Sequence, residues 1–472
     1  LAGGHGYKLK RAVTLPFLDF GTLEQRHEAC LNELRVNRRS APEIYEDVVP
    51  VTRRPDGALE IGGRGEVADW LVRMRRFSQD ALYDRMAEKG QLGPEHMEPL
   101  AEAIFILHGL AERDLTRNRP VAELEQIIGD NGAALSDRSG ICDPGDADEL
   151  TKRSLERLET LAPLLRQRAQ TGCVRHCHGD LHLRNIVDIG GRPVLFDAIE
   201  FDDGLATIDV LYDLGFLLMD LWRRGLRSHA NRVLNAYLER DAGTMNLPGL
   251  AALPLFLSVR AMIRCKVKAL EDDDSGSAAG EAREYFSLAR GLLEPVPVTL
   301  AAIGGLSGTG KTTVARAVAA GLGAAPGAVI LRSDVERKRL FGVAPTRKLG
   351  AEAYSREVTA TVYRVLHKKA AFALGAGHSV IVDAVHGNAE ERDGLEHLAS
   401  TLGVAFRGVW LEAPAAALYE RVDARKGDAS DADSSVVRQQ LARDTGQISW
   451  TRIDAGRGSS ETRRAVEQAL GA

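Results

Sequence analysis

The nine residues "GLSGTGKTT", Gly305 to Thr313, constrain this chain more than any other stretch. They fit G-x-x-x-x-G-K-[ST], with an apolar run before them and an alanine-rich run after. Glycines let backbone N–H groups curl around phosphates without Cβ clashes, and the following helix aims its positive N-terminus at the same place. The expected phosphate cradle is Gly305, Leu306, Ser307, Gly308, Thr309, Gly310, Lys311, Thr312 and Thr313. Lys311 would reach the β- and γ-phosphates, and the Thr312 hydroxyl would ligate Mg²⁺.

The flanks place this loop in a layered α/β domain. After Pro295 and Pro297, apolar runs at Val298–Ile303, Ala328–Leu331, Val380–Val382 and Phe406–Leu411 alternate with helical stretches. Such alternation predicts a parallel sheet flanked by helices. The boundary is expected near residue 296, dividing the chain into 1–294 and 298–472. Three further features are candidates for chemistry. Asp334 and Arg337 share a face at i and i+3, suited to a base and a phosphoryl-holding arginine, or to a helix cap beside a surface arginine. Asp383 ends an apolar run, where a carboxylate can act on Mg²⁺ or simply close a turn. Arg421 and Arg425 precede a polar stretch, suited to a lid over ATP or to a plain surface helix.

Together these residues resemble the small P-loop kinases: gluconate kinase, chloramphenicol phosphotransferase and the kinase domain of polynucleotide kinase. The resemblance covers residues 298–472. It implies an AAA-type ATP-binding kinase domain, with Asp334 of the D-x-x-R element activating the acceptor hydroxyl.

The first half turns on "CVRHCHGDLHLRNIV", Cys173 to Val187. A zinc site would recruit Cys173, Cys177, His176, His178 and His182, but the spacing departs from the usual paired ligand arrangement. On a strand, Cys173 and Cys177 would point one way and His176 and His178 the other. The alternative needs only His178, Asp180 and Asn185. Asp180 and Asn185 have the spacing of the kinase pair that addresses the acceptor hydroxyl and Mg²⁺, and Asp197 follows at the end of an apolar run, where the second Mg²⁺ carboxylate is required. "GYKLKRAV" offers Lys8 and Lys10 on one strand face, so spacing does not choose between them.

This half resembles the aminoglycoside phosphotransferase family, through H-G-D-x-x-x-x-N at His178–Asn185 and the magnesium aspartate at Asp197. The resemblance implies a protein-kinase-like fold, mostly helical in its C-lobe, with Asp209 and Asp213 bracing the loop. It implies a phosphate-holding lysine paired with a helix carboxylate, for which Lys8 with Glu33 is favoured; a surface lysine and a solvated glutamate are the alternative. The same resemblance implies that "VRMRR", Val72–Arg76, offers backbone to adenine. The family's first strands and phosphate-covering loop should precede the lysine strand, and seven residues precede Lys8, so part of this lobe is expected to be cut short at Leu1. Two such modules in this order also resemble a bacterial fusion of an aminoglycoside-phosphotransferase-like domain with a P-loop kinase or ATPase domain.

A net charge of −5 supplies no global basic field for a nucleic acid. No uninterrupted apolar run of membrane-spanning length is present, and the odd cysteine count favours a reducing cytoplasm. The expectation is a cytoplasmic, bifunctional phosphotransferase using ATP and Mg²⁺ on a small-molecule hydroxyl, with no nucleic-acid or membrane partner and an open oligomeric state. Its rivals are an ATP-hydrolysing switch acting on a binding-only first half, and a polynucleotide 5′-hydroxyl kinase. Aminoglycoside self-protection would need a carboxylate-rich pocket, for which Glu271–Asp274 is the candidate.

Overall fold

The strand carrying Lys8 runs from His5 to Leu9, with Lys10 just past its end, and pairs antiparallel with Glu66–Arg75, setting Lys8 opposite Val72. The computed structural model describes residues 4–15, 18–115, 120–136, 138, 140–241, 245–271, 276–424 and 429–471. Arg425 and Asp272–Asp274 of the acidic stretch lie outside the described residues. Contacts divide the chain into two units: Leu1–Leu221 with Val259–Phe286, and Trp222–Ser258 with Ser287–Ala472. Packing therefore does not follow a single cut near residue 296.

In the first unit, an antiparallel sheet orders its strands as His5–Leu9, Glu66–Arg75, Tyr45–Arg53, Leu59–Ile61. The helix Leu23–Asn37 packs on it, burying Cys30 and Leu34 with Ile44, Tyr45 and Val72. Its start is locally encoded. The Thr22 hydroxyl accepts from Gln25 N, and the Gln25 amide oxygen accepts from Thr22 N, so two otherwise orphaned donors are satisfied. Helices Met97–Leu110, Pro120–Ser136 and Pro144–Gln170 follow. The helix that follows the His178 loop and its strand begins at Val210. Thr207–Asp209 is a short strand paired with Val174–His176, which anchors the entry to the His178 loop. The helix Val210–Arg223 is buried nearly all round, as its apolar run requires.

In the second unit, five parallel strands lie in the order Val329–Arg332, Val380–Asp383, Thr299–Gly305, Ala405–Glu412, Thr451–Asp454. The last strand was not foreseen: among its residues only Ile453 is buried, so it carries no apolar run. At the other end, Val329–Arg332 is an edge strand, and unpaired edge groups need cover. The helix Arg227–Arg240 supplies it. Asn231 and Asn235 donate to Ala328 O at 3.0 and 3.1 Å, and Ile330 N donates to Asn235 Oδ1 at 2.7 Å.

Among the described residues one stretch, Asn246–Leu270, is long and apolar enough to cross a membrane by length and composition, and 78% of its most apolar window is buried within the protein. The sequence expectation of no such stretch rested on uninterrupted apolar runs, and Arg260 interrupts this one.

Replacing Asn235 with Leu removes the partner of a buried edge amide. The full chain is expected to lose about 1–3 kcal/mol, read as a lower urea midpoint in denaturation followed by circular dichroism. An unchanged midpoint would show that water covers the edge equally well.

Candidate active sites

The phosphate loop joins the central strand Thr299–Gly305 to the helix Lys311–Val318. Gly305 and Gly308 have φ of 135° and 89°, and a Cβ on them would lie 2.5 and 2.7 Å from the carbonyls of Leu411 and Leu418. Only glycine fits both conformation and space. Lys311 Nζ donates to Gly305 O and Leu306 O at 2.8 and 3.0 Å, so the ammonium is folded over the loop. Thr312 Oγ1 donates to Asp383 Oδ2 at 2.6 Å. A hydroxyl and a carboxylate brought together by two different elements form a hard-oxygen pair that suits Mg²⁺.

Register places Arg332 opposite Asp383, and the Arg332 Nε lies 3.6 Å from the Asp383 carboxylate. Asp334 stands two residues further, in the first turn of the helix Ser333–Leu340. Burial pushes its carboxyl up, Asp383 adds to that, and Arg332 and Lys311 oppose it. Arg337 is placed differently from the expectation that it holds the phosphoryl group. It is buried, donates to Ala353 O at 2.6 Å, reaches Thr359 Oγ1 at 3.3 Å and stacks on Tyr354. Its guanidinium is committed to the neighbouring helix, and Arg332 is the arginine set beside Asp383. Arg421 lies against the loop, with NH1 3.4 Å from Gly308 O and NH2 donating to Ala455 O at 3.0 Å.

Sequence reasoning missed two supports here. The Gln440 side chain accepts from Ser307 N at 2.8 Å. Asp431 collects the buried Lys338 ammonium, the Tyr354 hydroxyl and Leu349 N, pinning the segment after Arg421. The sole sequence signal was the polar stretch itself.

In the first unit the His178 loop is held from beneath. Asp213, fully buried, accepts from Gly179 N at 2.8 Å, His178 N at 3.2 Å and the His108 ring at 3.0 Å. Asp209 takes a two-pronged contact from Arg168 at 2.7 and 2.8 Å. Asn185 Nδ2 donates to the Asp180 carboxylate at 3.0 Å, which leaves the Asn185 side-chain oxygen as the atom that could hold a metal. Burial raises the Asp180 carboxyl, but the His182 hydrogen bond and the charges of His182, His178 and Arg260 outweigh it and hold the group well below the usual carboxylate range.

The histidines and cysteines of this stretch take separate partners. His176 meets Asp203, His178 meets Phe196 O, His182 meets Asp180, and the Cys177 thiol donates to Ile208 O. His108, Cys177 and Asp213 do bring ligand atoms within 4.8 Å of one another. Ordinary hydrogen bonds already account for their geometry, and burial with Asp213 pushes the Cys177 thiol up, opposing the thiolate that zinc needs.

Lys8 or Lys10 was left open by spacing, and the structure uses both. Glu33, fully buried, lies 2.8 Å from Lys8 and 2.5 Å from Lys10. Lys8 also meets Asp197 at 2.6 Å, while Lys10, itself buried, pairs with Glu200. Burial pulls the Lys8 ammonium down, but Glu33, Asp197 and Glu200 outweigh it and raise it. Asp197 has a φ of 61°, a strained backbone for a non-glycine residue, of the kind found at functional sites. A cleft of about 900 Å³ opens beside Lys8, lined by Gly6, Tyr7 and the Met74–Asp80 segment that includes the end of the expected adenine strand. Glu200 was missed; its signal was only a carboxylate three residues beyond Asp197.

Two family models match the chain. Residues 25–252 match the phosphotransferase enzyme family, and residues 300–445 match an AAA domain. The chain joins a phosphotransferase-family, kinase-like domain to a P-loop kinase-like domain. Uncharacterized proteins of Mycobacterium tuberculosis and Mycobacterium bovis are 29% identical to this fusion over 476 residues, covering 99% of it and 92% of their own length. Among solved structures, a gluconokinase from Sinorhizobium meliloti 1021 is 21% identical, covering 37% of the fusion and 91% of itself, with a TM-score of 0.27. The APS kinase of Mycobacterium tuberculosis is 24% identical, with coverages of 38% and 100% and a TM-score of 0.29. An ethanolamine kinase of Plasmodium vivax is 11% identical, with coverages of 61% and 77% and a TM-score of 0.37.

Changing Glu33 to Gln removes the buried carboxylate that both ammonium groups share, leaving Lys8 with Asp197 and Lys10 with Glu200. Breaking a buried pair in this way is expected to cost about 3–5 kcal/mol. Urea denaturation checks this, and a cost below about 1 kcal/mol would show that Asp197 and Glu200 suffice without Glu33.

Proposed function

We propose that the fusion is an ATP- and Mg²⁺-dependent phosphotransferase that passes the γ-phosphoryl group to a hydroxyl of a small molecule. The observation that carries this reading is the convergence of Lys311, the Thr312–Asp383 pair and Asp334 at one end of the parallel sheet. Ligands bind at this end of such sheets. Asp334 accepts the proton of the acceptor hydroxyl, and its raised pKa suits a base better than an ordinary aspartate's would. Lys311 leaves the carbonyls of Gly305 and Leu306 for the phosphates, and Arg421 steadies the loop from the far side. Thr312 and Asp383 would hold Mg²⁺, which neutralises charge on the phosphoryl oxygens.

The first half forms a second site on the same logic. Lys8 holds phosphates, with Glu33 keeping the ammonium in place, and Asn185 and Asp197 would hold the metal. Asp180 stays ionised across the physiological range, so its main contribution is to orient the hydroxyl, with His182 fixing its rotamer. A cytoplasmic setting fits the five free, buried cysteines.

ATP consumption over a panel of sugars, amino sugars, nucleosides and oligonucleotides tests the reading. Lys311→Ala is expected to abolish turnover on some acceptors and Asp180→Asn on others. If neither change reduces turnover on any hit, the site assignments fail. Acceptor-free hydrolysis that survives Asp334→Ala points instead to a nucleotide switch, and turnover on 5′-hydroxyl oligonucleotides alone points to an end kinase.

The pH profile gives a second check. Asp334 must be ionised to act, so activity of the P-loop half falls as pH drops through its pKa. Because that pKa is raised, the acid limb of kcat/KM, measured with Asp180→Asn in place, should lie above the ordinary aspartate value of about 3.9. A limb at or below that value would remove Asp334 as the base.

A further inference from the structure

Arg260 lies on the helix Leu253–Leu270 and is only 6% exposed. Its guanidinium carbon sits 3.9 Å from the centre of the Tyr212 ring and 4.9 Å from that of Phe216. Nε donates to Tyr212 O at 3.3 Å. The NH2 nitrogen is buried and has no hydrogen-bond partner among the described residues. No carboxylate of a described residue comes within 4 Å of this charge.

A buried guanidinium is expensive. Leaving a charged donor unsatisfied forfeits its hydration, and stacking on aromatic rings returns only part of that. A leucine at this helix position would pack on Tyr212 and Phe216 without the penalty. The location supplies a reason for the charge. Phe216 also meets the His182 ring, 5.3 Å away in an edge-on contact, and His182 binds the Asp180 carboxylate at 3.3 Å. The guanidinium thus stands one ring away from the residue proposed to orient the acceptor. Its two nearby carboxylates are already committed: Asp213 to His108 and the loop amides, Asp180 to His182 and Asn185.

We propose that Arg260 is an acceptor-recognition residue of the first half, and that the acceptor is a hydroxylated oxyanion, carrying a carboxylate or phosphate besides its reacting hydroxyl. The planar guanidinium matches either group with paired hydrogen bonds. A polycationic amino sugar would meet the wrong charge here. This inference rests on the phosphotransferase reading of Asp180.

The test uses the full chain with Lys311→Ala, so that only the first half can turn over. Kinetics compare D-gluconate with D-sorbitol, glycerol 3-phosphate with glycerol, and kanamycin alone; the two anions separate a carboxylate from a phosphate preference. One charge-assisted contact predicts at least about a tenfold higher kcat/KM for an anion than for its neutral twin. Arg260→Met should erase that ratio through KM, and Arg260→Lys should keep part of it and guard against misfolding. In parallel, the same anions at millimolar concentration should raise the melting temperature of the parent chain and not of Arg260→Met.

Preference for the neutral or cationic probes, or a ratio and a thermal shift that ignore Arg260, overturns the inference. An Arg260-dependent shift without turnover upholds it and sinks the phosphotransferase reading. Asp180-dependent turnover without Arg260 dependence does the reverse.

Discussion

One buried carboxylate sets the geometry of the first half. Asp213 is enclosed in the helix Val210–Arg223, yet it accepts from two consecutive backbone amides and an imidazole. An ionised group survives there only because every donor around it points inward. The result is a loop whose amides are tied down beside the contact between Asp180 and Asn185. Preorganisation of this kind is what positions a hydroxyl for transfer.

Charge is managed differently around Lys8. Five ionisable groups, Lys8, Lys10, Glu33, Asp197 and Glu200, share one region with one more carboxylate than ammonium. Glu33 touches both lysines, so Lys8 keeps a carboxylate partner when it leaves Asp197, while Lys10 and Glu200 remain paired. The P-loop half shows the same economy. Lys311 rests on carbonyls of its own loop, and Asp383 rests between Thr312 and Arg332. In both halves the groups proposed to meet phosphate are held by partners that a triphosphate and its metal can replace.

Much of this was legible in the amino-acid order because it is local. The phosphate loop, the H-G-D-x-x-x-x-N stretch and the capped helix after Thr22 depend on residues close in sequence. Other features depend on residues far apart. Arg337 shares a helix face with Asp334, which suggested a common task, but contact with Ala353, Thr359 and Tyr354 takes its guanidinium elsewhere. Lys10 was indistinguishable from Lys8 by alternation, and only the approach of the Asp197–Glu200 segment separates their partners. The strand Thr451–Asp454 lacks an apolar run because it forms at an exposed edge, where pairing rather than burial defines it.

By itself, then, the sequence supplied two kinase-type motifs, their glycines and the carboxylates proposed to hold metal. These are requirements of backbone conformation and ligand type, and they are written in consecutive residues. Tertiary structure decided which charges meet and which segment serves which sheet. Residues 222–258 follow the kinase-like pattern in sequence, yet Asn231 and Asn235 complete the edge of the P-loop sheet. No local pattern encodes that, because an asparagine side chain is equally content with water until a strand edge is buried against it.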